Sequence, residues 1–173
     1  SVISSEALRD PYDFRITLQP FPFLNHSKGL LAHLIVDTHF ITRDRMGRLV
    51  SFVARLRQDH RIPAIGVGID EQTAIAIDAE GRGTLMMQGD AGGRAFVLAP
   101  DADPSKCQPG KPLEFSKIAV QKLDAYYGDT FDFARMRGGA SSQMYDIDAH
   151  NGHLSPRDPY SPPGATFRRR SNS

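Results

Sequence analysis

The segment Asp37-Thr38-His39-Phe40-Ile41-Thr42-Arg43-Asp44-Arg45-Met46-Gly47-Arg48 gathers two acids, an imidazole and three guanidinium groups just after an apolar run ending at Val36. An imidazole titrates near neutral pH and can move a proton, while arginine presents a fork of donors that fits a carboxylate. If the segment reads strand, turn and helix, these groups meet where a strand's carboxyl end faces a helix start, a common place for ligands. Arginines are disfavoured at the positive end of a helix dipole. Arg43, Arg45 and Arg48 there suit either an anion bound between them and the helix amides, or surface pairing with Asp44 and Asp59.

His39 is the acid/base candidate; the plain alternative is a core histidine satisfied by a backbone carbonyl. A second acidic group, Asp70-Glu71, follows Gly66-Val67-Gly68-Ile69 and lies one helix and one strand beyond His39. A strand–helix–strand unit can bring Glu71 to the imidazole and orient it; otherwise the two carboxylates cap the next element. The other histidines, His26, His33, His60, His150 and His153, form no metal-ligand spacing. Gly66-x-Gly68 lacks the rest of a dinucleotide fingerprint, no phosphate loop occurs, and no cofactor or metal is expected. What an imidazole–carboxylate pair requires in front of it is a hydroxyl or thiol. No Gly-x-Ser-x-Gly elbow is present, and Gly138-Gly139-Ala140-Ser141-Ser142 does not follow a buried strand.

These groups need elements to hold them. Leu30–Val36 reads as a buried strand, and Met46, Leu49, Val50, Val53 and Leu56 make one stripe of a helix from about Arg43 to Asp59. Ala64–Ile69 and Thr73–Ile77 read as strands, and the Glu80-Gly81-Arg82-Gly83 turn leads into Thr84–Met87 as a hairpin. Further strands are expected at Arg94–Leu98 and, with a slip in its alternation, Leu113–Leu123. Phe131, Phe133 and Met136 suit a short return, and Gln143–Leu154 a hairpin turning at Asn151-Gly152. Residues 1–28 read as covering loops with a short strand or turn around Phe14–Leu18 and Phe21–Leu24. Residues 1–155 are expected to form one α/β unit, with a mixed sheet parallel at its centre and antiparallel at its strand-rich edge. The Pro- and Arg-rich stretch 156–173, with Arg168-Arg169-Arg170, reads as an extended or disordered tail.

Composition bounds the partners. The 173 residues carry 21 Lys+Arg against 20 Asp+Glu, a net +1 that gives no global attraction to nucleic acid or anionic membrane. No apolar run approaches the roughly 20 residues a membrane helix needs. The single cysteine, Cys107, rules out an intrachain disulfide framework and sits in a polar Pro/Gly loop, as a spare thiol rather than a nucleophile. Ser1 is not a methionine, so the start carries no information on compartment.

The sequence resembles the family of cyanophycinase and aspartyl dipeptidase. The resemblance rests on Gly29-Leu30-Leu31, Ile35-Val36-Asp37-Thr38-His39-Phe40, Arg43-x-Arg45-x-Gly47-Arg48-Leu49 and Gly66-Val67-Gly68-Ile69-Asp70-Glu71-Gln72-Thr73-Ala74. Asp10-Pro11-Tyr12-Asp13, Arg15-Ile16-Thr17-Leu18, Pro112-Leu113-x-Phe115 and Gly128-Asp129-x-Phe131-Asp132 extend it over about residues 8–155. It implies a mainly parallel sheet flanked by helices, of the class I glutamine amidotransferase type. It also implies a serine peptidase cutting peptides linked through an aspartate side chain, as in the aspartate–arginine polymer cyanophycin. On that resemblance His39 is the general base, Glu71 its orienting carboxylate, and Asp37, Thr38, Arg43, Arg45 and Arg48 line the substrate pocket, an arginine holding the free aspartyl carboxylate. Thr38 stands where cyanophycinases usually carry glutamine, and Asp44 where a small residue is common.

The family's nucleophile lies in a Gly-x-Ser-Ala-Gly turn that would fall a few residues before Ser1. The chain is therefore expected to be the carboxyl-terminal part of such a protein, working with a companion segment or chain that carries the serine, the assembled unit dimerising. The alternatives are a family member that only binds acidic peptides through its arginines, and a protein that cuts itself into two chains.

Overall fold

The computed structural model describes residues 2–18, 31, 33–89, 93–161 and 166–167. The apolar stripe that starts at Met46 forms α2 (Met46–His60), burying Met46, Leu49, Val50 and Val53. The helix begins three residues later than the pattern predicts, because Asp44 adopts φ 44°, a left-handed conformation that a right-handed helix cannot contain. It ends where Arg61 turns left-handed at φ 55°. A preceding helix, α1 (Ser4–Arg9), stands where loops or a short strand are expected, and Asp10-Pro11 closes it. Its signal was slight: Glu6 reaches back to accept from the Ile3 amide at 3.2 Å, half of a capping box. Gly47 lets α1 close on α2, since a Cβ there would lie 2.7 Å from Leu8 Cδ1 and 2.9 Å from Ser4 Cβ.

Two sheets lie beyond the helices. The larger runs in the order β1 (Leu34–Thr38), β2 (Ile65–Ile69), β5 (Arg94–Pro100), β6 (Phe115–Asp124), β9 (Gln143–His150) and β10 (His153–Ser155), with β11 (Thr166–Phe167) also on β9. The smaller contains β3 (Thr73–Ile77), β4 (Arg82–Met87), β7 (Thr130–Asp132) and β8 (Arg137–Gly138). A short 3₁₀ turn, Ala125–Tyr127, follows β6.

The sheet is mixed, but it is not mainly parallel. Among the described residues β1–β2 is the parallel pair, and every other pairing is antiparallel. A parallel neighbour needs a crossover, and α2 supplies one between β1 and β2; among the described residues no α-helix follows β2. The class I glutamine amidotransferase arrangement remains an expectation of the resemblance.

Alternation along the strands divides the core. Phe96, Leu98, Ile118, Val120 and Ile147 face the helices, packing with Leu8, Leu49, Val50 and Val53. Val67, Ala95, Val97 and Leu123 face the smaller sheet through Leu85, Phe131 and Phe133. The layers are therefore helices, large sheet, small sheet.

The first strand starts at Leu34 and is not buried as predicted: Val36 is 48% exposed, and among the described residues β1 pairs with β2 alone, with Leu34 half-buried against the core between the sheets. The slip in the Leu113–Leu123 pattern is a bulge between Phe115 and Ile118, where Lys117 takes φ 54°. Asn151 and Gly152 turn the β9–β10 hairpin at φ 48° and 78°. Part of the predicted tail is docked on the body: Pro159 is buried, Tyr145 Oη donates to the Pro159 carbonyl at 2.7 Å, and Thr166–Phe167 pairs with β9. Phe21–Leu24, Gly29-Leu30 and Arg168-Arg169-Arg170 lie outside the described residues.

Candidate active site

Parallel pairing places Thr38 beside Ile69, so the residues that leave β1 and β2 emerge side by side at one end of the sheet. His39 leaves at φ 54° and Gln72, just after Glu71, at φ 53°. Such backbone costs about 1 kcal/mol or more per residue and persists only where surroundings hold it. On the His39 side a holding group is Phe40. Its amide donates to the Ile69 carbonyl at 3.3 Å, and its fully buried ring covers Gly68. A Cβ on Gly68 would lie 2.5 Å from that ring, so glycine is required for the approach.

The result is a contact of 2.7 Å between His39 Nδ1 and Glu71 Oε1, two side chains separated by 32 residues in sequence. Both are about half exposed, at 46% and 45%. The pair is therefore formed and reachable from solvent. Thr73 Oγ1 donates to the Glu71 carbonyl at 2.9 Å and accepts from the Gly93 amide at 2.9 Å, tying the Glu71 turn to the start of β5. Asp70 does not reach the imidazole; its amide donates to the Arg94 carbonyl at 3.1 Å.

The arginines divide. Arg45 Nη1 donates to Asp37 Oδ1 at 3.1 Å, and Arg48 grips both oxygens of Asp37, Nε to Oδ2 at 2.8 Å and Nη2 to Oδ1. The Asp37 side chain is 3% exposed and those of Arg45 and Arg48 are 13% each. Burial pushes the Asp37 carboxyl up, and Arg48 opposes that shift. Arg43 lies on the exposed loop, with only its amide engaged among the described residues, donating to the His39 carbonyl at 3.1 Å. Thr38 is exposed at the end of β1.

The expected anion seat between the arginines and the helix amides is therefore filled from within. The Arg45 amide donates to the Phe40 carbonyl at 2.9 Å and the Met46 amide to Tyr160 Oη at 3.0 Å. The amides of Gly47 and Arg48 meet Ser4 Oγ at 3.1 and 3.4 Å. Two hydroxyls from distant segments thus satisfy the open end of α2. Asp37 supplies the negative charge that the helix dipole favours, and it offsets the two arginines. Nothing in the sequence marked Ser4 or Tyr160 for this role, because neither lies near α2 along the chain.

Other candidates resolve simply. Cys107 is buried, and burial pushes its thiol up to about 11, unsuited to a nucleophile. Ser142 is buried and donates to the Gly139 carbonyl at 2.7 Å, while Ser141 Oγ donates to the buried Asp129. His150, on the surface beside the hairpin turn, pairs with Glu114. Among the described residues no group of three His, Cys, Asp or Glu is placed to hold a metal.

No family model matches the sequence. It is similar to cyanophycinase from Trichormus variabilis, 43% identical over 53 residues, which is 31% of this chain and 16% of the relative. Cyanophycinase from a Nostoc species matches with the same identity and the same shares. The likeness is local. The matched stretch spans about a sixth of the curated relatives' length. It supports a cyanophycinase-like relationship and, at that level, a peptidase-like character.

Proposed function

We propose that this chain supplies the acid–base half of a serine-type peptidase acting on β-aspartyl-linked peptides, the nucleophilic serine lying on a preceding segment or companion chain. The observation that carries this reading is the solvent-accessible His39–Glu71 contact of 2.7 Å at the carboxyl end of two parallel strands. An imidazole that donates Nδ1–H to a carboxylate keeps its lone pair on Nε2. In that tautomer it takes the proton of a hydroxyl and returns it to the leaving amine, while the carboxylate steadies the imidazolium formed between the two steps.

Arg43, exposed on the same loop, is the group proposed to hold the free carboxylate of an aspartyl unit. Thr38 borders the same rim. Asp37, Arg45 and Arg48 act beneath, bracing the loop rather than touching substrate. Among the described residues β1 pairs on one side only, so its other edge is where a strand of the serine-bearing segment would add. The substrate class comes from the resemblance, with the local likeness to two cyanophycinases in its support.

The test is hydrolysis of β-aspartyl-arginine dipeptide and of cyanophycin by the complete protein. His39→Ala should lower kcat by at least about 10². Equal rates for wild type and His39→Ala would end the proposal. The reading as a binding module for acidic peptides is weakened because Arg45 and Arg48 are taken by Asp37, leaving one exposed arginine in the segment.

A further inference from the structure

The loop that carries His39 is held by a residue far outside it. Tyr160 Oη donates to Asp44 Oδ1 at 2.8 Å and accepts the Met46 amide at 3.0 Å. Its ring stands edge-on to Phe40, with centroids 5.9 Å apart, and edge-on to Phe96, at 5.7 Å. Phe40 is the residue after His39, and Asp44 and His39 are the two left-handed residues that bracket the loop. A single side chain thus touches both ends of the turn that aims the imidazole.

Tyr160 is itself pinned. Lys122 Nζ donates to its carbonyl at 2.9 Å and to Ser161 Oγ at 3.0 Å, and Asp158 Oδ1 accepts the amides of Tyr160 and Ser161 at 3.0 and 3.2 Å. Burial holds the Tyr160 phenol well above its ordinary value, so it stays a protonated donor throughout the physiological range. Ser4 Oγ meets the Asp44 carbonyl, giving the loop a second support from α1. Left-handed residues at both ends need such over-determination to keep one conformation.

We propose that Tyr160 is a positioning residue for His39: the strap Asp158–Ser161 locks the 39–45 loop in the left-handed conformation that aims the imidazole at Glu71. The kinetic consequence rests on reading His39 as a base, whereas the structural consequence stands on the geometry alone. Tyr160→Phe removes the two Oη bonds and keeps the ring. Lys122→Met releases the strap without touching the loop, and serves if the first variant folds poorly. Tyr12→Phe, which loses the phenol bond to Asp59, is the control for a hydrogen bond lost away from the loop.

In the complete protein, Tyr160→Phe should speed exchange of the Met46 amide about tenfold. It should also move the His39 ring nitrogens in ¹⁵N spectra toward the free-histidine tautomer mixture, and Tyr12→Phe should do neither. In assembled protein that hydrolyses peptide, kcat should fall about tenfold with KM nearly constant. His39 spectra unchanged in Tyr160→Phe, or changed equally by Tyr12→Phe, would overturn the proposal. Absence of peptidase activity in wild type would overturn the hydrolase reading and leave the spectroscopic test standing.

Discussion

Glu71 Oε1 lies 2.7 Å from His39 Nδ1, and the two backbones that present them leave adjacent parallel strands. The contact is about half exposed at each end, so it adds little to stability and can serve chemistry.

Glu71→Gln should therefore separate function from folding. An amide in place of the carboxylate no longer stabilises the imidazolium and can favour the wrong tautomer. On the proposed role of the pair, peptide hydrolysis by the complete protein should fall by about 10² or more. The thermal midpoint should stay within a few degrees of wild type. A large loss of stability with unchanged kcat would show that the pair is structural.

Asp37→Ala should do the reverse, striking the fold first. It leaves Arg45 and Arg48 nearly buried with no carboxylate, a situation that costs about 3–5 kcal/mol. Urea denaturation reads the loss. Adding Arg48→Met should recover part of it, because one of the two unpaired charges is then removed. Strict additivity of the two substitutions would contradict the coupling.

Gly68→Ala tests the seat of Phe40. A new Cβ would stand 2.5 Å from the ring, so the ring must move and take the neighbouring His39 with it. Overpacking of this kind costs about 1–3 kcal/mol. The expected signature is a joint loss of stability and of the His39–Glu71 contact in imidazole spectra. Ala at this position with wild-type stability would mean that the ring yields freely.

Acid stability should depend on Glu114. Desolvation acts to raise its carboxyl, but hydrogen bonds from the Asn151 amide and His150, together with the charge on His150, outweigh it and hold the group below its ordinary value. A carboxyl depressed on folding contributes stability above its unfolded value, and that contribution disappears as pH falls through the folded value. Glu114→Gln should flatten the acid limb of a stability-against-pH curve and leave the neutral plateau less affected. An unchanged acid slope would assign no such role to Glu114.

Much of the frame was legible because it is local. The Met46–Leu56 stripe, the alternating strands and the Asn151-Gly152 turn follow from periods of 3.6 and 2 and from residues that accept positive φ. The bulge at Lys117 even showed itself as a slip in alternation. The predicted start of α2 failed because a left-handed Asp44 leaves no mark in composition. The predominance of antiparallel pairing was missed because strand patterns say where strands lie, not which neighbour they choose.

By itself the sequence determined which groups could do chemistry: one histidine beside arginines, an acidic residue one crossover away, and motifs that resemble a peptidase family. Spacing along a chain sets reach, but it does not set where a flexible guanidinium points. Only the tertiary structure decided that Arg45 and Arg48 turn inward to a buried Asp37, while Arg43 stays in solvent. It also brought Ser4 and Tyr160 to the amides of α2, since orphaned helix donors must find acceptors wherever packing supplies them.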